Sequence, residues 1–476
     1  MKKIQTITLI LFAASFAAVA QTNRNSFFLD NNLYGYRVNP AIRSEKPFVG
    51  LIVNNISTED KSNIGVSSLL FPRNGELVTG LNSAVGADEF LGKLKDINAI
   101  SANLDESIIA VGFPNGDNAF SNIEVNLRTD ASSGIPKSMF EFLKRGSRDS
   151  AYQIGKTDVN ANSYFEIAYG YSRDINSKIR VGGRLKVLLG AANINAHISR
   201  ADVMVNGEII NVDAQAELKV AAPEISFRNN EQGYLDITNP IVRSKYGIAG
   251  YGAALDLGAT FELVEGLTLS ASVVDLGGIS WKNNVNAQSS AKASFEGSGN
   301  ILGRDGSGIT DDLEESLKKL GDLLKFKQLG GSSNSFRWLP CTINVGARYR
   351  MPFYDRLSAG LLAAYRTNEY VGWFDLRGGL TVTPLDWLSL CGTVGLNSYC
   401  PTCGAALSFN LVSFNFFVSA ESFIGEMAKI GDMPVPVNTF REQLNFGINI
   451  TFGKRGTTFK AAPHRKDNSL DVQKEN

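Results

Sequence analysis

The chain is 476 residues long and carries 47 basic and 47 acidic side chains, with 43% hydrophobic residues. That balance offers no attraction for nucleic acid, and a mean hydropathy of −0.06 fits a membrane protein only if apolar and polar residues alternate. With two histidines, no phosphate-binding glycine loop and no dinucleotide fingerprint, the chain reads as a non-enzyme without cofactor or metal.

The chain opens with Lys2 and Lys3, an apolar run from Ile4 to Phe16, and the small residues Ala18-Val19-Ala20. Residues 1–20 are therefore expected to be a cleaved export signal, leaving Gln21 first. No Cys follows that site, which argues against a lipoprotein. Beyond it no apolar stretch reaches ~18 residues, so no helix is expected to span a membrane.

Strand-like alternation then runs through the chain. In Tyr164–Ser172, Phe165, Ile167, Tyr169 and Tyr171 share one face against Glu166, Ala168 and Gly170. In Ile179–Leu189, Ile179, Val181, Leu185, Val187 and Leu189 oppose Arg180, Gly182, Arg184 and Lys186. Ile248–Phe261 sets Tyr251, Leu255 and Leu257 against Gly250, Asp256 and Gly258. Ile343–Met351 sets Val345 and Tyr349 against Asn344, Arg348 and Arg350; Phe374–Val382 sets its apolar residues against Asp375, Arg377 and Thr381, and Leu388–Leu396 against Ser389 and Thr393. The clearest run is Gln443–Gly453, where Leu444, Phe446, Ile448, Ile450 and Phe452 alternate with Asn445, Gly447, Asn449 and Thr451. Successive strand residues point to opposite faces. Leu444 to Phe452 spans roughly 26 Å at ~3.3 Å per residue, about 20 Å when tilted by ~40°, close to the ~25 Å apolar band of a barrel wall. A soluble sandwich would carry Lys, Glu and Thr on its polar face; here that face is rich in Gly, Ser, Asn and Arg, which suits a partly filled lumen.

Three long connections are expected, near 72–105, 130–160 and 291–336, each with a helical stripe. Phe90, Leu91, Leu94 and Ile97 form the first. Met139, Phe140, Phe142 and Leu143 form the second, with Gly146 as its stop. Thr310–Phe326 is the third, with acids at its start and Lys318, Lys319 and Lys325 after them. These stripes either cover a barrel mouth or offer a hydrophobic landing site for a ligand. Ile194–Lys219, too polar to meet lipid, reads as a hairpin outside the membrane turning at Asn206-Gly207. Tight connections are expected at Asp355-Arg356, Glu369-Tyr370 and Leu385-Asp386, with short turns periplasmic and long loops extracellular. Cys400 and Cys403 flank a turn and are expected to form a local disulfide in an oxidising compartment. Lys454–Asn476 reads as a disordered tail.

The fold expected is an all-β, transmembrane, antiparallel up-and-down barrel of about fourteen strands, twelve to sixteen being admissible, over residues 47–453. Its inward charges, Arg180, Arg184, Lys186, Asp256, Arg348, Arg350 and Arg377, are either paired struts bracing the lumen or a slightly basic passage for an anionic head group.

The run Tyr34–Ile42 reads YGYRVNPAI. Asn39-Pro40-Ala41 ahead of a strand starting near Phe48 resembles the start of long-chain fatty-acid-transporter-like barrels and of PorV-type and PorP-type barrels. The whole chain also resembles an uncharacterised outer-membrane family allied to them. The resemblance implies a roughly fourteen-stranded barrel with residues 21–46 folded inside as a plug. It implies a location in the cell outer membrane among its lipids. It also implies either passage of a hydrophobic or amphipathic small molecule or, as in PorV-like barrels, a scaffold or shuttle for a secreted or surface protein.

Overall fold

The computed structural model describes residues 24–452 apart from 31, 45, 74–75, 146–149, 207–208, 224, 230–232, 243–246, 297–325, 331–332, 369–370 and 431–432. The expectations for the export signal, the C-terminal tail, Gly146, Asn206-Gly207's second residue, Glu369-Tyr370 and the helix over Thr310–Phe326 (Phe326 aside) lie outside these residues.

Among the described residues, fourteen antiparallel strands form one closed wall. They are β1 (Phe48–Ser62), β2 (Ile97–Pro114), β3 (Ala119–Pro136), β4 (Thr157–Asp174), β5 (Ile179–Asn206), β6 (Gly250–Val264) and β7 (Leu267–Asn283), then β8 (Thr342–Arg350), β9 (Leu357–Arg366), β10 (Trp373–Leu385), β11 (Leu388–Asn397), β12 (Pro401–Asn410), β13 (Phe414–Phe423) and β14 (Phe440–Thr451). Each pairs with its neighbours in chain order, and β14 returns to β1 through Phe48↔Thr451 and Ser57↔Asn445. Closure leaves no unpaired edge among these strands, which is what a spanning sheet requires.

The alternation read from the sequence is the one observed. On β14, Leu444, Ile448 and Ile450 are exposed while Asn445, Gly447 and Asn449 are buried. On β4, Phe165, Ile167 and Tyr169 face out, Glu166 and Ala168 in. Exposed aromatics gather at both ends of the outer face: Phe113, Tyr171, Phe261, Tyr349 and Phe452 at one, Tyr251, Phe336, Trp338, Tyr365 and Phe374 at the other. Such girdles mark the two interfaces of a lipid-facing band.

The connections at one end, the turn end, are all short, as at Glu265-Gly266 between β6 and β7 and Asp386-Trp387 between β10 and β11. At the other, the loop end, β1–β2, β3–β4, β5–β6 and β7–β8 are joined by long segments, whereas β9–β10 and β11–β12 are joined by short ones. The expected separation of short turns to one side and long loops to the other therefore fails in the second half of the chain. The connection expected over 72–105 lies at 63–96, equally long but nine residues earlier, and the one expected over 130–160 is shortened to 137–156, because β2 already begins at Ile97 and β3 runs on to Pro136. In those stretches Asn, Ser and Asp occupy both faces, so the apolar alternation that marks a lipid-facing strand is missing.

Two loop helices pack together at the loop end. Helix α1 (Ala87–Leu91) starts after Gly86 with Asp88 and Glu89 in its first turn, where acids complement the helix dipole. Helix α2 (Lys137–Arg145) ends on Lys144 and Arg145. Phe90 meets Phe140 edge-to-face at 6.0 Å. Beyond the wall, β5 continues past Gly190 and pairs with Ile209–Ala221, which pairs in turn with Val285–Glu296. The hairpin expected at Ile194–Lys219 is thus part of a projecting sheet.

Candidate functional site

The segment Arg24–Ser44 lies inside the wall and bonds to strands all around it. Tyr34 Oη reaches Asn449 Oδ1 on β14 at 2.7 Å and Tyr36 Oη reaches Glu124 Oε1 on β3 at 2.8 Å. Ser272 on β7 and Asn344 on β8 donate to the Val38 carbonyl at 2.7 and 3.1 Å. Thr381 on β10 donates to the Phe28 carbonyl at 2.8 Å. The glycine-rich inner face is a mould for this segment. A Cβ on Gly346, Gly360 or Gly379 would strike the rings of Phe27 or Phe28, and one on Gly182 or Gly258 would strike Pro40 or Asn39. Asn39 donates to the Ala259 and Ala271 carbonyls at 3.1 and 3.2 Å and accepts from the Ala41 N–H at 2.9 Å. Asn39-Pro40-Ala41 is therefore a tight turn seated on β6 and β7.

Around the segment the inward charges form two networks. In the first, Arg184 bonds Glu124 and lies 3.5 Å from Asp256; Lys186 reaches Asp256 and Asp275, both at 2.7 Å. Arg128 adds Glu166 and Asp275 at 2.8 Å, and Arg37 of the internal segment adds Asp105 at 2.9 Å. In the second, Arg377 bonds Glu421 and reaches Asp375 at 2.9 Å; Arg24 reaches Glu59 at 2.8 Å, and Arg441 reaches Glu59 at 2.6 Å. The guanidiniums of Arg24 and Arg441 lie over the Trp373 ring at 4.4 and 4.7 Å from its centre. Burying each ion costs several kcal/mol, offset only where partners surround it.

Of the charges named from sequence, Arg184, Lys186 and Asp256 come together, and Arg377 belongs to the second network. Arg348 bonds Asp30 at 2.5 Å. Arg180 pairs with Asp174 and Arg350 is exposed, both near the turn end. The alternation rule missed Asp275. A bulge sets Val274 and Asp275 against the single residue Asp256, with Asp275 at φ 65°. This turns the carboxylate into the lumen, where its own N–H donates to Asp256 at 2.8 Å, the kind of re-aiming that bulges perform. The signal lay in the sequence as the broken alternation Val273-Val274-Asp275.

A cavity of about 460 Å³ opens at the loop end, within the ~300–1,000 Å³ of small-molecule sites. It lies where a regular strand of the wall is interrupted, although the Leu339 N–H still donates to the Gly277 carbonyl and the Thr367 N–H to the Cys341 carbonyl, both at 2.9 Å. Ser333–Trp338 and β8 continue one line beside β7, through Gly278↔Trp338 and Val274↔Thr342, but Leu339-Pro340-Cys341 between them form no strand. Pro340 has no N–H to give. One side of the cavity is polar: Asp130, Asp158, Asn160, Asn162 and Arg337; the other is apolar, with Trp338 and Tyr365 exposed at its rim.

Two further expectations change. Cys400 and Cys403 are free thiols, because Cys400 is buried ahead of β12 while Cys403 lies on its exposed face; residues three apart in an extended chain point oppositely. Phe90, Leu91 and Leu94 are buried against Phe71 and Val85, so this stripe is turned into the core of its own loop. Among the described residues no group of His, Cys, Asp and Glu is arranged to hold a metal ion.

A family profile described as a family of unknown function, DUF5723, matches residues 40–421. No curated protein matches the chain's sequence. Among solved structures, a Pseudomonas aeruginosa FadL homologue is 11% identical, over 91% of this chain and 99% of that one, with a TM-score of 0.43. The Ralstonia pickettii toluene transporter TbuX is 8% identical, over 93% and 98%, with a TM-score of 0.43. The P. putida toluene transporter TodX is 9% identical, over 88% and 94%, with a TM-score of 0.39. The closed barrel rests on the strand pairing above and not on these overlaps.

Proposed function

From the premise that the chain belongs to the DUF5723 family of unknown function, we propose that it is an outer-membrane transporter for a small hydrophobic or amphipathic molecule, with residues 21–46 as its plug. The cavity at the loop end carries this reading. It joins polar residues of the inner face, Asn160 and Asn162, to outward aromatics, Trp338 and Tyr365, beside the irregular residues Leu339-Pro340-Cys341 of the wall. A site with one wet side and one greasy side matches an amphipathic ligand. The paired lumen charges and the seated internal segment argue against an open, general pore.

The test is to purify the protein in mild detergent, extract it and identify small molecules by mass spectrometry. An amphipathic molecule held by the wild type and lost from Asn160→Leu supports the reading. No bound small molecule and a tightly held polypeptide instead overturns it. That second outcome is the signature of the scaffold or shuttle role, favoured by one observation: the sheet of β5, Ile209–Ala221 and Val285–Glu296 projects beyond the wall and offers a platform.

A further inference from the structure

Resting on the transport reading, we propose that the loop-end cavity recognises a neutral polyhydroxylated ring, a sugar, free or carried as the head group of a lipid. The cavity's polar side is a ladder of amides fixed by carboxylates. Asn162 donates to Asp130 at 2.8 Å and accepts from Asn193 at 2.5 Å. Asn160 donates to Asp158 and accepts from Asn195 at 2.6 Å and from Arg337 Nη1 at 2.9 Å. His197 lies 3.3 Å from the far oxygen of Asp158. The rungs are thus in place before any ligand arrives, and binding pays little to order them.

This arrangement discriminates between ligand classes. A ring hydroxyl is donor and acceptor at once, and needs both kinds of partner side by side. Here carboxylate and amide oxygens accept while the Arg337 guanidinium and the Asn amides donate. An ammonium uses acceptors alone and would face the Arg337 charge. A fatty carboxylate would face the like-charged side chains of Asp130 and Asp158, with Arg337 already engaged by Asn160. The rim supplies the other half of sugar recognition. Trp338 is 73% exposed and Tyr365 51%, flat apolar rings that the C–H face of a pyranose can cover.

The experiment is calorimetric titration of the purified full chain in a zwitterionic, sugar-free detergent with the methyl glycosides of glucose, galactose, mannose and N-acetylglucosamine. A parallel arm uses nanodiscs with and without a glycosyl diacylglycerol, and octanoate is the carboxylate control. Binding of a methyl glycoside assigns a free sugar; binding confined to the glycolipid nanodiscs assigns a head group; either supports the proposal. Asp130→Asn keeps an acceptor for Asn162 and is expected to weaken binding about tenfold; Trp338→Ala, at an exposed position, tests the rim without touching the ladder. No binding in either arm overturns the proposal, as does binding that neither substitution weakens. Octanoate binding without glycoside binding overturns the sugar assignment and leaves transport standing. Glycoside binding by a barrel that carries no ligand across a vesicle membrane removes transport and leaves the sugar site.

Discussion

Strands β1 to β7 run from 15 to 28 residues, whereas β8 to β14 run from 9 to 13. A strand of ten residues rises ~33 Å and, tilted by ~40°, covers about 25 Å, the height of the apolar band. The second half of the wall is therefore a membrane-spanning sheet and little more. The first half spans the same band and then continues, carrying α1, α2, the projecting sheet and the polar side of the cavity. Lipid dictates the length and pattern of the short half, and whatever lies outside the membrane dictates the surplus of the tall one. The cavity sits on the step between them, where Leu339-Pro340-Cys341 lead into β8.

The largest effect should come from Asp275, on the tall half's border. Asp275→Ala leaves Arg128 and Lys186 short of a shared buried carboxylate, and about 3–5 kcal/mol of stability should be lost. Temperature-dependent loss of the heat-modifiable gel band measures it, and unchanged melting would mean that the first network is not structural. Next, the two halves should answer differently to a charge on the outer face. Val394→Arg, midway along β11, should cost about 2–4 kcal/mol, while Ile194→Arg, beyond the last β5–β6 pair at Gly190, should cost about 0–1 kcal/mol. Equal penalties would place the surplus of β5 in lipid. Gly258→Val should push Asn39-Pro40 from its seat at about 1–3 kcal/mol and make the internal segment cleavable by protease; a protected segment would show that the seat yields. The smallest effect concerns the projecting sheet. There the Lys219 ammonium, hydrogen-bonded at 2.7 Å, holds the Glu217 carboxyl below its ordinary range. Its folded pKa is depressed, so its contribution is present above the unfolded value of about 4.3 and is lost as pH falls through the folded one. On this exposed pair it amounts to under about 1 kcal/mol. Protection of the Leu218 amide, taken relative to the intrinsic exchange rate at each pH, should fall only at acid pH, and Glu217→Gln should abolish that dependence.

The short half was legible from residues alone, because lipid on one side and polar filling on the other force a period of two: Leu444, Ile448 and Ile450 stand where parity put them. The tall half was read less well for the same reason. Above the membrane, Asn98, Ser101 and Asn103 of β2 and Ser132 and Ser133 of β3 meet no lipid, so their strands leave no apolar stripe. Arg184, Lys186, Asp256 and Arg377 were found as inward charges, but their partners Glu124, Asp275 and Glu421 were not. A sequence shows which face a strand residue takes, not which distant strand it meets, and a bulge such as that at Asp275 reverses even the face. The cavity was invisible because it needs a break in one strand, amides on two others and an aromatic on a fourth.

The hydrogen bond between Tyr34 and Asn449 joins residues 415 positions apart. The internal segment bonds to β1 through Arg24 and Glu59 and to β14 through this pair, the two strands whose meeting shuts the wall. Its partner set is incomplete until the last strand has been synthesised, so the first part of the chain must wait for the final one. Such distant closure is entropically slow to find. A segment seated first on β1, β2 and β3, through Arg24, Arg37 and Tyr36, would shorten that search by holding out Tyr34 to the arriving strand. On that order of events the segment would serve assembly before it fills the finished barrel, and its removal should slow closure as well as empty the lumen.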